Sequence, residues 1–412
     1  MESKRDKIIK IVLKTVSYIL VAALASVLTL VLYTPVSNLI PYTIYPSGTG
    51  AATDEVEATA NKLRQLLNLI DYCHVADVDV EVLGDAAAWA MVEATGDRWS
   101  AYISASEMDA YVENQNNAYV GIGITILSNS SEDGFVIQQV DPNGSAKAAG
   151  ILPGDILVEA EGQSLAGKEA EFASSLIRGE EGTDVTVAVL RDGEKLTFTL
   201  KRMTIHTVVA SGQLLDGNVG YVLIANFNSG CAEQAIAVIE DLRSQGAESL
   251  LFDVRFNPGG YKHELVNLLN YLLPAGKLFT SVDYTGKEII DWSDDSCLDM
   301  PMAVLVNEYS YSAAEFFAAA LEEYNWAVTA GSPTVGKGYY QVTLQLEDGS
   351  AVALSTGKYF TPNGVSLADE GGLIPEVLVE VDEETESLIY GQLLPLEEDP
   401  QVIAALKALK GE

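Results

Sequence analysis

From residue 219 to residue 330, short apolar runs alternate with helix-forming stretches, and this alternation constrains the chain more than any other feature. Residues 219–224, 249–254, 302–306 and 327–330 read as strands. Residues 231–244, 264–272 and 312–323 read as the helices between them. Elements in that order predict an α/β core around a mixed or parallel sheet. One junction stands out. The run Val304-Leu305-Val306 stops at Asn307, and Ser310, Tyr311 and Ser312 lead into Ala313-Ala314-Glu315, a strong helix start. A serine at a helix entrance can cap it by accepting an orphan backbone N–H. Equally, it can be a nucleophile whose oxyanion partners are the outward-pointing amides of the helix N-terminus. Residue types alone leave both uses open.

Upstream the pattern changes. Residues 118–205 contain several short strands, two short helices, an Asp141-Pro142-Asn143-Gly144 turn and a hairpin around Asp192-Gly193. Residues 51–117 show helical spacing at Ala60, Leu63, Leu66, Leu67 and Ile70, and read as a small helical subdomain. Trp99, Tyr102, Met108 and Tyr111 are expected in its core or at an interface. Residues 34–50 hold three prolines and two glycines and read as a linker.

The uncharged apolar run 15–33 is long enough to cross a bilayer, and the five basic residues in 1–14 orient the N-terminus to the cytoplasm. A signal-anchor is expected, with the catalytic part extracytoplasmic; a cleaved signal peptide is the rival reading. The formal charge of −35 argues against a nucleic-acid partner, since nothing would neutralise phosphates. The acidic body is not expected to cling to an anionic membrane surface, so the helix alone must tether it. Three widely spaced cysteines, Cys73, Cys231 and Cys297, form no zinc pattern and leave one unpaired, so buried free thiols are expected. No metal and no cofactor is implied.

The segment 118–205 resembles a PDZ domain. The resemblance rests on Gly121-Ile122-Gly123-Ile124 as the carboxylate-binding loop and on the run from Ser145 to Leu157, SAKAAGILPGDIL. Glycines let backbone amides approach a peptide's terminal carboxylate while an open strand edge pairs with the peptide. Four further stretches resemble the carboxyl-terminal processing proteases, the tail-specific serine peptidases of family S41. These are FDVRFNPGG (252–260), the turn 304–315, TVGKGYYQ (334–341), and KYFTPNG (358–364) followed by GGLIPE (371–376).

The resemblance covers nearly the whole chain and implies a multidomain α/β and α+β fold. Its parts are a basic segment (1–14), membrane helix (15–33), linker (34–50), helical subdomain (51–117), PDZ domain (118–205), protease core of the ClpP/crotonase-like kind (206–380) and an acidic segment with a helix (381–412). It further implies Ser312 as nucleophile, Lys337 as general base, Gln341 beside the lysine, and the amides of Gly260 and Ala313 as oxyanion donors. In similar proteases an arginine placed like Arg178 links peptide binding by the PDZ domain to assembly of the active site. The substrates implied are exported proteins with free C-terminal tails, and a homodimer is a further expectation. A serine is a weak nucleophile without a base, and a lysine serves as base only when burial or a cationic neighbour lowers its pKa. An acidic neighbour would instead hold it protonated, whereas Gln341 can accept from the amine without adding charge. Tyr311 departs from the small residue usual there and is expected to narrow or gate the cleft without touching the dyad. The competing reading is a PDZ scaffold that keeps the protease fold without cleaving.

Overall fold

A computed structural model describes residues 53–127 and 134–411. The expected membrane segment 15–33 lies outside them. Among the described residues no helix is long and apolar enough to cross a membrane.

The core is a six-stranded sheet. Its strands are ordered Ala210–Leu215, Val219–Ile224, Ser249–Asp253, Met302–Val306, Ala327–Gly331 and Val377–Leu378. All neighbours after the first pair are parallel. Side chains alternate between faces along a strand. Thus Leu250, Phe252 and Val304 pack beneath the helices Cys231–Ser244, Lys262–Leu272 and Ala313–Glu323. Leu251, Ala303 and Leu305 face the other way, onto Val402 and Ala405 of the C-terminal helix Pro400–Leu409. Coverage on both faces explains why Met302–Val306 is apolar at every position and wholly buried. Buried Arg255 ties the two layers, pairing with Asp253 and with Asp399, the N-cap of the C-terminal helix.

A second sheet stands beside the first, built from the strands Gly276–Asp283, Glu288–Ser293, Tyr339–Gln345 and Ala351–Phe360. The stretch expected to be a helical subdomain supplies its edge. Ala101–Ile103 pairs antiparallel with Ala351–Ala353, so the N-terminal segment is stitched into the protease core. The helices Asp54–Cys73 and Val80–Glu93 bury no residue. The PDZ-like unit has its own core around Phe135, Ile137, Leu157 and Val187, and its two chain ends pair as the strands Ala118–Gly121 and Met203–His206. Of the three free thiols only Cys231 is buried, so the expectation of buried thiols fails for Cys73 and Cys297. Both are exposed, Cys73 at the end of a helix that buries no residue.

Candidate active site

The turn after Met302–Val306 is fixed before the serine is reached. Asn307 Oδ1 accepts the amides of Phe256 (3.0 Å) and Tyr309 (3.2 Å). Ser310 Oγ donates to the Val254 carbonyl (2.8 Å) and accepts the Asn307 amide (3.0 Å). Ser310 is therefore a buried staple between two strands and not the helix cap that its position suggested. Ser312 follows with φ 59° and ψ −121° at the N-cap of Ala313–Glu323. A non-glycine residue in that region is strained, and strain of this kind persists only where the surroundings impose it.

The loop Asn257-Pro258-Gly259-Gly260 presses on this turn. Tyr311 donates its amide to the Asn257 carbonyl (3.2 Å), and the Asn257 side chain holds the Gly259 amide (2.8 Å). A Cβ on Gly259 would lie 2.7 Å from Ser312 Cβ and 2.8 Å from the Ala313 nitrogen. Gly260, at φ 151°, leaves no room for a Cβ, which would fall 2.2 Å from the Phe227 carbonyl carbon. Among the described residues the amides of Gly260 and Ala313 have no acceptor. The sequence-predicted oxyanion donors are thus on two segments in direct contact, and both are available.

Glu315 joins the Ser312 turn to the loop that carries Lys337. Its carboxylate, fully buried, accepts the amides of Ser312 (2.9 Å), Gly336 (2.9 Å) and Lys337 (2.6 Å) and the hydroxyl of Thr334 (2.8 Å). Burial pushes its pKa up, and these four bonds oppose the rise. Burial outweighs the four donors, so the carboxyl stays above its ordinary value. Tyr359, also buried, donates to the Lys337 carbonyl. The sequence did not mark Glu315 or Tyr359 as site residues. The position of Glu315, three residues after a helix-entrance serine, was the available signal for a capping pair.

Burial pushes the Lys337 amine down to about 8, against the opposing pull of Glu315 and Asp97. The acidic neighbours thus exist, and desolvation outweighs them. The amine lies 4.9 Å from the centroid of the Trp99 ring and 5.9 Å from that of Tyr311, and the two rings lean together at 5.7 Å. Tyr311 therefore faces the lysine, contrary to the expectation that it stands clear of the dyad. Among the described residues Gln341 makes no hydrogen bond to the Lys337 amine. Its amide nitrogen donates to Ser355 Oγ (2.9 Å) and the Tyr339 carbonyl (3.2 Å).

The PDZ-like unit carries a groove of about 260 Å³ lined by Gly121, Ile122, Gly123, Ile124 and Arg178, with Tyr119 at its side. All five residues singled out in the sequence meet there. The side chain of Ile122 points into the core, so what it offers the groove is backbone. Arg178 ends the helix Ala170–Ile177, pairs with Glu113 and stacks over Tyr119 at 5.2 Å. Glu113 belongs to the helix Met108–Asn116, whose Asn114 carbonyl accepts from Asn228 (3.0 Å), next to the Phe227–Gly260 bridge.

Comparison with known proteins gives the family. Residues 218–379 match the model of peptidase family S41, and residues 119–201 match that of the PDZ domain. A probable CtpA-like serine protease of Staphylococcus aureus (strain N315) is 29% identical over 354 residues, 85% of this chain and 70% of the relative. The carboxy-terminal processing protease CtpA of Bacillus subtilis (strain 168) is 30% identical over 325 residues, 78% of this chain and 69% of its own. Among solved structures, a photosystem II D1 C-terminal processing protease is 26% identical, with a TM-score of 0.44 over 77% of this chain and 92% of its own. The chain belongs to the carboxy-terminal processing proteases, PDZ-bearing serine peptidases of family S41.

Proposed function

We propose that this chain is a membrane-anchored endopeptidase that cleaves exported proteins near their C-terminal tails with a Ser312/Lys337 dyad. The observation that carries the reading is the Glu315 carboxylate, which binds the Ser312 and Lys337 amides while Lys337 is desolvated to about 8. A buried neutral lysine is able to take the Ser312 proton. The Ser312 oxygen then attacks the scissile carbonyl carbon. The resulting oxyanion is received by the Gly260 and Ala313 amides, each donor worth a few kcal/mol in comparable sites. Collapse expels the amine, which takes the proton from Lys337 and leaves an acyl ester on Ser312. Water, deprotonated by the same lysine, hydrolyses the ester. In this reading Gln341 steadies the base strand.

The groove at Gly121–Ile124 would hold the tail's carboxylate by backbone amides, with the peptide added along the strand edge. Arg178 is then placed to report occupancy. Its pairing with Glu113, and the contact of Asn114 with Asn228 beside Gly260, supply a continuous route to the oxyanion loop. The anchor at 15–33 and the basic segment before it support a single-pass orientation with the catalytic part outside. Exposed Val56, Leu66, Leu69 and Trp89 on two helices that bury nothing support a homodimer through them. The parallel, doubly covered sheet supports a core of the ClpP/crotonase-like kind.

The test is cleavage of a tailed protein by the full chain, by Ser312→Ala and by Lys337→Ala. Loss of cleavage in both variants is expected; equal cleavage by all three would sink the reading. Tail binding without turnover by the parent chain would favour a PDZ scaffold instead.

A further inference from the structure

The turn Asp97-Arg98-Trp99-Ser100 precedes the strand Ala101–Ile103, far in sequence from the dyad. It nevertheless reaches the base. Trp99 covers the Lys337 amine at 4.9 Å, and its ring also carries the Arg98 guanidinium at 4.2 Å. Asp97 accepts the Ser100 hydroxyl (2.6 Å) and the Trp99 amide (3.0 Å). Ser100 Oγ in turn accepts the Ser355 amide (3.1 Å), and Ser355 Oγ accepts from Gln341 (2.9 Å). Burial pushes the Asp97 carboxyl up, but bonds from Ser100, Ser355 and Trp99, with the charge of Lys337, outweigh it and hold it below the usual range.

We infer that Trp99 and Asp97 are positioning residues for the general base, Trp99 walling its amine from water and Asp97 fixing the turn that carries Trp99 while holding Gln341 through Ser100 and Ser355. The inference rests on the Ser312/Lys337 reading and deepens it. The groups facing Lys337 from each element are Glu315 on the helix Ala313–Glu323, Tyr311 before it, Asp97 and Trp99 on the N-terminal turn with Arg98 stacked beyond, and Tyr359 at its carbonyl. The two residues act on the base in opposite senses. Water admitted at Trp99 favours the ammonium, and removing the Asp97 charge favours the free amine. A merely structural turn has no reason to produce opposite signs.

The experiment records kcat/KM for β-casein cleavage against pH for the full chain, Trp99→Ala, Trp99→Phe, Asp97→Asn and Ser312→Ala. Trp99→Ala is expected to raise the midpoint of the acidic limb by about one pH unit, which removes about tenfold of the neutral amine at pH 7. Trp99→Phe restores most of this, because a ring still covers the amine and keeps water from it. Asp97→Asn is expected to lower the midpoint. Midpoints unchanged in Trp99→Ala and Asp97→Asn, or moved in the same direction, would overturn the inference while leaving the dyad intact. Should Trp99→Ala fail to fold, Trp99→Phe and Asp97→Asn carry the test, an unmoved Asp97→Asn midpoint counting against it. Cleavage by Ser312→Ala equal to the parent would instead bring down the dyad, and this inference with it.

Discussion

Glu315→Gln is a nearly isosteric change at the residue that joins the Ser312 turn to the Lys337 loop. In the parent chain one carboxylate oxygen takes the Ser312 and Lys337 amides and the other takes the Gly336 amide and the Thr334 hydroxyl. A glutamine can offer its oxygen only to one pair. The least costly orientation keeps Ser312 and Lys337 satisfied and turns the amide nitrogen toward Thr334, whose hydroxyl can rotate and accept. The Gly336 amide is then orphaned inside the protein, at about 1–3 kcal/mol. The three surviving bonds each lose charge assistance, about 1 kcal/mol apiece. Relief from burying a charge, which outweighs those bonds in the Glu315 carboxyl itself, cancels the lost charge assistance. The net is the orphaned amide's loss of about 1–3 kcal/mol, or about 2–12 °C in the thermal midpoint of a domain of about 150–250 residues. Removing the charge also removes one of the two pulls that keep Lys337 protonated. The acidic limb of the pH–rate profile should therefore move down while stability falls. Thermal unfolding followed by tryptophan fluorescence and kcat/KM against pH measure the two effects. An unchanged thermal midpoint, or a limb that moves upward, would refute the reasoning.

In the parent chain, activity should rise with pH through about 8, as the Lys337 amine loses its proton. Since its folded pKa lies below the ordinary 10.5, the unfolded chain binds more protons between about 8 and 10.5, and denaturant titrations should show this group adding stability as pH rises across that window. Gly259→Ala, at φ 89° and with its Cβ forced against Ser312 and Ala313, should cut kcat by about a hundredfold or more, close to the loss from one oxyanion donor, measured at saturating casein. Ser310→Ala should cost about 1–3 kcal/mol in urea unfolding by orphaning the Asn307 amide, with the pH–rate profile unmoved. Arg255→Met leaves Asp253 and Asp399 unpaired inside the protein. It should destabilise the core by about 3–5 kcal/mol and release the C-terminal helix to proteolysis before the sheet.

Local patterns made much of the molecule legible in the sequence. Apolar runs punctuated by helix formers point to a mixed or parallel sheet. The sheet is mixed, with one antiparallel edge pair, and it is the coverage of both faces that lets its central strands be apolar throughout. The motifs holding the glycines at 121, 123, 259 and 260 and the serine at a helix entrance pointed to the two candidate sites through their resemblance to known families. The strands Ala210–Leu215, Gly276–Asp283 and Glu288–Ser293 escaped the reading. The first and last carry exposed positions at sheet edges, which blunts their periodicity. The helix Glu383–Tyr390 was hidden by its acidic first turn. Tertiary structure alone decided the environment of Lys337. Whether Lys337 is a charged surface residue or a desolvated amine depends on Trp99, Asp97 and Tyr311, and Trp99 and Asp97 arrive there only because Ala101–Ile103 pairs with a strand some 250 residues later. A pKa is set by what surrounds a group in space, and no spacing along the chain encodes that.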